Sequence, residues 1–133
     1  MTDTEIYRAC AALVATFAAA QSLRCAYPEV AFDPGQDVAW LDLQWFPNET
    51  QNYGMDDDGP SLLQGFAQLS LCRRPGAGIP AASAITDQII AAFGKGTAFA
   101  GARVYRKPWV NNIIQDPERT MYPVTIMWRG FDS

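Results

Sequence analysis

The segment 61–74 constrains the fold most strongly, because apolar and mixed residues alternate along it with the period of a β-strand. One face of this strand carries Leu63, Gly65, Ala67, Leu69 and Leu71. A strand with one apolar face must cover that face with another layer of secondary structure. The chain is therefore predicted to build a sheet on which other elements pack.

The segment 38–46 repeats the pattern and supplies a second strand. Its two faces consist of Leu41, Leu43 and Trp45 on one side and Trp40, Asp42 and Gln44 on the other. We expect it to run antiparallel to 61–74 and to end at Pro47, because proline cannot donate a hydrogen bond to the ladder. Polar residues, glycine and proline over 48–60 predict a long loop between the two strands.

Two helices are predicted from apolar residues that recur at three- and four-residue spacing. The first, over 4–22, can be capped by Thr2 or Asp3, and its apolar stripe consists of Ile6, Cys10, Leu13, Phe17 and Ala20. The second, over 80–93, begins with Pro80 in the first turn and ends before Gly94. Its stripe consists of Ile85, Ile89 and Phe93.

The segments 97–107, 109–115 and 121–129 are strand-like, and Pro108 leaves open whether the first two form one bent strand or two. The resulting order predicts an α+β fold. We expect an antiparallel-rich sheet of four to five strands with both helices packed on one face. With 133 residues and no internal repeat or linker, the chain is expected to form a single domain over 1–133.

The chain offers few groups for catalysis, since it contains no histidine. Serine–histidine and cysteine–histidine pairs are therefore excluded. The three cysteines, Cys10, Cys25 and Cys72, are odd in number and match no metal motif, so reduced thiols are expected. The acidic run 56–58 lacks the ligand spacing of a calcium loop. We expect no enzymatic activity, no catalytic residue, no metal and no cofactor.

The charge pattern favours contacts with proteins. Basic residues cluster at 73–74 and at 103–107, but the net charge of −4 disfavours tight binding to phosphates. The apolar run 9–23 is shorter than the roughly 20 residues of a membrane helix. Charged residues make up only 18% of the chain, which is typical of a protein whose surface is covered by partner subunits.

Six residues are candidates for contacts with other proteins: Trp40, Asp56, Asp57, Asp58, Arg73 and Arg74. The tryptophan is placed on the mixed face of its strand, and a large aromatic residue there is typical of an interface. The two arginines at the end of a strand have two interpretations. They are either solvated or paired across an interface, for example with the acidic loop of a neighbouring subunit.

Six short motifs follow one another along the chain: AYPEVAF at 26–32, WLDLQ at 40–44, GFAQLSL at 65–71, PGAG at 75–78, ITDQI at 85–89 and YPVTI at 122–126. In this layout, over nearly its whole length, the sequence resembles the tail terminator proteins of long, non-contractile-tailed bacteriophages and of related tail-like particles. The fold of that family, a sheet with helices packed on it, agrees with the prediction above.

The resemblance implies a structural role in the virion. Tail terminators form a hexameric ring that ends the tail tube, stops its polymerisation and offers a surface to head-completion or neck proteins. The implied partners are copies of the same chain, the tail tube protein and a neck protein, with no membrane. DNA would pass through the lumen without specific binding. The implied location is the head-proximal end of the tail, in a virion assembled in the host cytoplasm.

Within this family the acidic run is expected either to dock onto the tube or to line the lumen, where it would repel DNA. Three other functions remain as alternatives: a head–tail connector or neck stopper, a monomeric binding module, and a small enzyme. An enzyme without histidine would depend on carboxylates such as Asp42, Asp87 and Glu118, and no sequence pattern pairs them.

Overall fold

The computed structural model describes residues 2–52, 61–76 and 78–132, except for the side chain of Asp132. The elements of this part follow in the order α1 Asp3–Ala20, β1 Cys25–Ala26, β2 Ala39–Pro47, β3 Gln51–Asn52, β4 Ser61–Arg73, α2 Ile79–Ala92, β5 Ala98–Phe99, β6 Ala102–Val104, β7 Trp109–Val110, β8 Ile114–Gln115 and β9 Thr120–Asp132. The acidic residues Asp56, Asp57 and Asp58 lie outside the described residues.

Two long antiparallel strands, β4 and β9, form the centre of the sheet. They pair residue for residue, from Ser61 opposite Asp132 to Arg73 opposite Thr120. On the other side of β4, β2 is also antiparallel and ends at Pro47, as predicted. The predicted alternation of faces is confirmed, because the inward residues of all three strands belong to one buried core.

The sheet is larger and less regular than the predicted four to five antiparallel-rich strands. Its described part has nine strands in the order β1-β2-β4-β9-β6-β5, with β3 paired to β4, and β7 and β8 paired to β9. It is mixed, because β1 runs parallel to β2. The segment 97–115 forms four short strands rather than one or two. Strands of two or three residues are too short to produce a visible alternation, which is why the sequence did not predict them.

Both helices pack on the same face of the sheet. The core joins Ile6 and Val14 of α1 to Ile89 of α2, over the inward residues of β2, β4 and β9. On α1, the predicted Ile6, Cys10 and Phe17 are buried. Val14 and Ala18 complete the buried stripe in place of the predicted Leu13 and Ala20, and Leu13 is 38% exposed. The N-cap is Thr2, whose Oγ1 accepts a hydrogen bond from the Glu5 amide at 3.2 Å.

Candidate interface surfaces

The described residues provide little for catalysis or metal binding. They contain no group of three or more histidine, cysteine or acidic residues that could hold a metal ion. Burial raises the pKa of Cys10 to about 12, that of Cys72 to about 12 and that of Cys25 to about 11. Thiols with such pKa values stay protonated near neutral pH and are poor nucleophiles. No helix in the described part is long and apolar enough to cross a membrane.

Trp40 lies on the helix-free face of the sheet, where it is only 3% exposed. The guanidinium of Arg74 lies over its ring, 5.1 Å from the centroid. Arg74 also donates from Nη2 to the Gly35 carbonyl at 2.8 Å and from Nε to the Asp37 carbonyl at 3.3 Å. In the isolated chain, Trp40 thus supports Arg74 and the segment 33–37, and its role in an interface stays a prediction.

Arg24 also forms hydrogen bonds with the segment 33–37. Its Nε donates to Asp37 Oδ2 at 2.6 Å, and its Nη2 donates to the carbonyls of Asp33 and Pro34 at 2.9 and 3.1 Å. Two arginines therefore fix 33–37 beside the start of β2. Arg74, a predicted interface residue, therefore already has several partners within its own chain.

Arg73 differs from its neighbour Arg74. It lies at the end of β4 on the helix side, and its buried Nε has no hydrogen-bond partner in the described part of the chain. Among the described residues it forms no ion pair. A buried guanidinium nitrogen without a partner is unfavourable, because the lost hydration is not replaced. Among the predicted interface residues that the structure describes, Arg73 is therefore the one with a buried donor that lacks a partner there.

Arg73 lines a concavity that we call the arginine pocket. It measures about 390 Å³ and is lined by Arg73, Arg74, Pro75, Gly76, Gly78, Ile79, Gln115, Asp116, Thr120 and Tyr122. The first turn of α2 forms one wall, and it has neither a side-chain cap at Gly78 nor an acidic residue. Backbone N–H groups at such a helix start remain available, and the helix dipole makes this end positive.

The acidic residue in the pocket, Asp116, is already engaged. Its Oδ1 accepts hydrogen bonds from the amides of Glu118 and Arg119 at 2.9 and 2.7 Å. Its Oδ2 lies 3.8 Å from the Nε of Arg119. Asp116 therefore stabilises its own turn, and the positive charge at the pocket comes from Arg73 and the start of α2, since the guanidinium of Arg74 lies over Trp40 on the other face of the sheet.

A second surface, which we call the aromatic row, crosses the helix-free face at the middle of β4. It consists of Phe46, Phe66 and Met127 on neighbouring strands. The two phenylalanine rings stack with centroids 4.7 Å apart, and Phe46 is 40% exposed. Phe131, which lies opposite Leu62 near the start of β4, is 61% exposed. This row was not predicted from the sequence, because the alternation placed Phe66 on a mixed face and gave no register that aligned Phe46 beside it.

Arginines border the aromatic row on the side of β6. Arg103 and Arg129 are register partners on β6 and β9. The guanidinium of Arg129 lies 4.2 Å from the ring centroid of Tyr105, and Arg106 Nη1 lies 3.7 Å from the sulfur of Met127. The basic cluster at 103–107 was visible in the sequence, but Arg129 joins it only through strand pairing.

Comparison with known proteins agrees with this fold. The family model described as phage tail terminator protein matches residues 5–128. A solved structure, whose name describes no function, is 16% identical and superposes with a TM-score of 0.78, over 100% of this chain and 97% of that chain. At this identity the likeness shows a shared fold. No protein of curated function matches the sequence.

Proposed function

This chain belongs to the phage tail terminator family, so it is a structural protein of a phage tail, and we propose that it forms a ring that caps the tail tube. The ring stops tube polymerisation and provides the surface to which head or neck proteins attach. The family match over 5–128 carries this proposal. The function lies in surfaces and symmetry, and it requires neither catalysis nor a cofactor.

In this proposal the ring is a hexamer at the head-proximal end of the tail, assembled in the host cytoplasm. DNA passes through its lumen without specific binding. Ring closure requires a heterologous contact, in which one surface of a copy meets a different surface of the next. The chain has two unlike surfaces, the arginine pocket at the end of β4 and the aromatic row at its middle on the helix-free face, and these suit such a contact.

A capping ring must also bind the tube on one side only, because a contact that repeats on both sides would extend the filament. The aromatic row is a suitable element for a contact with another protein. Exposed aromatic side chains that stack on each other form a rigid apolar surface, and such groups contribute strongly when an interface buries them.

Polymerisation of the tail tube protein in the presence of this chain tests the proposal. Tube lengths are measured in negative-stain electron micrographs at increasing ratios of chain to tube protein. We expect shorter tubes of narrower length distribution, each closed by added density at one end. Tubes of unchanged length without added density would refute the capping function.

Two surface variants locate the contact. Phe46→Ser removes one ring of the aromatic row, whereas Val30→Ser changes an apolar residue that is 62% exposed in the segment 27–34. We expect Phe46→Ser to weaken capping at least about tenfold, as for an interface anchor, and Val30→Ser to leave it unchanged. Equal effects of both variants would remove the aromatic row from the contact.

The neck connector alternative predicts a different defect. Phage particles made without this chain would then have tails of normal length that fail to join heads. A terminator defect instead gives tubes of uncontrolled length. Micrographs of particles made with and without the chain separate these two outcomes.

A further inference from the structure

The charges of this chain are divided unequally between its two halves. After Asp87 the chain has six of its ten lysines and arginines, but only three of its fourteen acidic residues. The sheet keeps the halves apart, because β1 and β2 lie on one side of β4 whereas β9 and β6 lie on the other. The two flanks of the sheet therefore differ in charge, and an asymmetry of this kind orients the association of proteins.

One flank, which we call the basic flank, consists of Arg103, Arg106 and Arg129. Arg103 and Arg129 are exposed and lie opposite each other on β6 and β9, and like charges in such a cross-strand pair repel each other. The guanidinium of Arg129 lies 4.2 Å from the ring centroid of Tyr105. That of Arg106 lies 4.9 Å from the ring centroid of Trp109. None of the three arginines forms an ion pair with a residue that the structure describes. A carboxylate from outside the chain would offset their repulsion through charge-assisted hydrogen bonds.

The opposite flank, which we call the acidic flank, consists of Glu29, Asp33 and Asp42. Glu29 and Asp33 are exposed in the segment that follows β1, and Asp42 is half-buried on β2. No ion pair between described residues involves these three carboxylates. The nearby arginines have other partners, namely Asp37 for Arg24, Asp116 for Arg119 and backbone carbonyls for Arg74. The acidic flank can therefore bind cationic groups of another molecule.

The two flanks cannot meet within one chain. Four steps between neighbouring strands separate β1 from β6, which is about 19 Å across the sheet. The groups of an ion pair must lie within about 4 Å of each other. The charges on each flank are therefore left for another molecule to balance, and a second copy of this chain offers the complementary flank to each.

We propose that the basic flank of one copy binds the acidic flank of the next copy. This inference rests on the ring proposed above and assigns the contact between its neighbouring subunits. Each copy contributes one flank to each of two neighbours, so the contact is heterologous and passes around the ring in one direction. Glu29 is the carboxylate that reaches Arg103 and Arg129 of the next copy, since it is exposed in the turn that follows β1.

Charge reversal on either flank tests the contact. Arg129→Glu places a carboxylate opposite Glu29 of the neighbour, whereas Glu29→Lys places a cation opposite the arginines. We expect each variant to associate at least about tenfold more weakly than the wild type, because like charges across an interface are strongly unfavourable. Association of the wild type should also weaken when NaCl is raised from about 50 mM to about 0.5 M, since salt screens exposed charges. The oligomeric state is measured by sedimentation velocity and native mass spectrometry, and assembly on tube ends is measured in negative-stain micrographs.

Three controls separate this contact from a general effect of charge. Arg8→Glu and Asp87→Lys each reverse one exposed charge on a helix, outside both flanks. Val30→Ser changes the residue next to Glu29 and keeps every charge of the acidic flank. All three variants should assemble as the wild type does, because the contact depends on the charged groups of the flanks.

A mixture of the two reversed variants provides a rescue and guards against misfolding. Chains with Arg129→Glu and chains with Glu29→Lys should assemble together, because each contact then joins either two native flanks or two reversed flanks. The two kinds of chain must alternate in such a ring, so we expect a 1:1 composition in native mass spectrometry. Recovery of the ring also shows that both variants are folded.

The outcomes separate this inference from the proposed function. A ring that persists with both Arg129→Glu and Glu29→Lys overturns the contact and leaves the ring intact. Equal losses for the variants and the controls, the absence of any rescue, or association that does not depend on salt also overturn the contact. A short DNA duplex is the second probe. If Arg129→Glu abolishes binding to the duplex and leaves association between copies unchanged, the basic flank binds a polyanion and the contact is overturned. A wild-type chain that associates neither alone nor on tube ends overturns the ring and the contact with it.

Discussion

Gly65 lies where β4 passes closest to its neighbours, and replacing it by alanine should destabilise the fold. A Cβ at this position would lie 2.6 Å from the Phe46 carbonyl oxygen, 2.7 Å from Trp128 Cζ2 and 2.9 Å from Pro47 Cα. Two of these atoms belong to the backbone of β2, which cannot move away without breaking its ladder with β4. The absence of a side chain at Gly65 thus makes room for the Trp128 ring beneath the strand.

The expected magnitude follows from two opposing terms. Overpacking a core position costs about 1–3 kcal/mol, and close contacts with backbone atoms place this site at the upper end. Replacing glycine by alanine also restricts the unfolded chain, which stabilises the protein by about 0.4–1 kcal/mol. We therefore expect Gly65→Ala to lower the free energy of unfolding by about 2 kcal/mol.

Urea unfolding monitored by tryptophan fluorescence measures this change. Gly94→Ala is the matched control, because its Cβ would lie 3.5 Å from the nearest atom, the Ala91 carbonyl oxygen, which is ordinary contact. We expect the control to match the wild type or to exceed its stability by up to about 1 kcal/mol. A free energy of unfolding for Gly65→Ala within about 0.5 kcal/mol of the wild type would refute the packing argument.

Three further predictions follow from described contacts. Burial raises the pKa of Cys10 and Cys72 from 9.0 to about 12. Unfolded thiols ionise near pH 9, so stability should fall above that pH by up to about 1.4 kcal/mol per thiol and pH unit. Replacing both by alanine should flatten this part of the stability–pH curve, and an unchanged slope would contradict the assignment. The same two thiols should react with a disulfide reagent at pH 8 only after unfolding, and rapid labelling of the folded chain would show that they are accessible. Arg24→Lys removes the guanidinium fork that binds Asp37 and two carbonyls, so amide exchange over 33–37 should become faster, with α1 unchanged as internal control.

The long elements were predictable because their patterns repeat many times. Alternation along β2, β4 and β9 placed residues such as Leu69 and Val124 on the covered face, and the structure confirms them. The parallel strand β1 was not predicted, and the segments 97–107 and 109–115 were predicted to be strand-like but not to divide into four short strands. Each has two or three residues, and its pairing depends on partners that are distant in the sequence.

The candidate surfaces were predictable only in part. Arg73 and Arg74 were predicted as interface residues because they are adjacent charges at a strand end, but their different environments depend on distant segments. Arg74 is held by the segment 33–37 and Trp40, whereas Arg73 faces walls that come from both 75–79 and 115–122. Trp40 was expected to be an interface residue from its place on a mixed face. The guanidinium of Arg74 lies over its ring, a contact that alternation cannot reveal.

The pairing of β4 with β9 also determines when the sheet can close during biosynthesis. Ser61 pairs with Asp132, so one flank of the central strand stays without its partner until the ribosome has released the last described residues. The arginine pocket depends on the same event, because Thr120 and Tyr122 of β9 complete its walls. While a chain is still being made, its sheet and this pocket are therefore both incomplete.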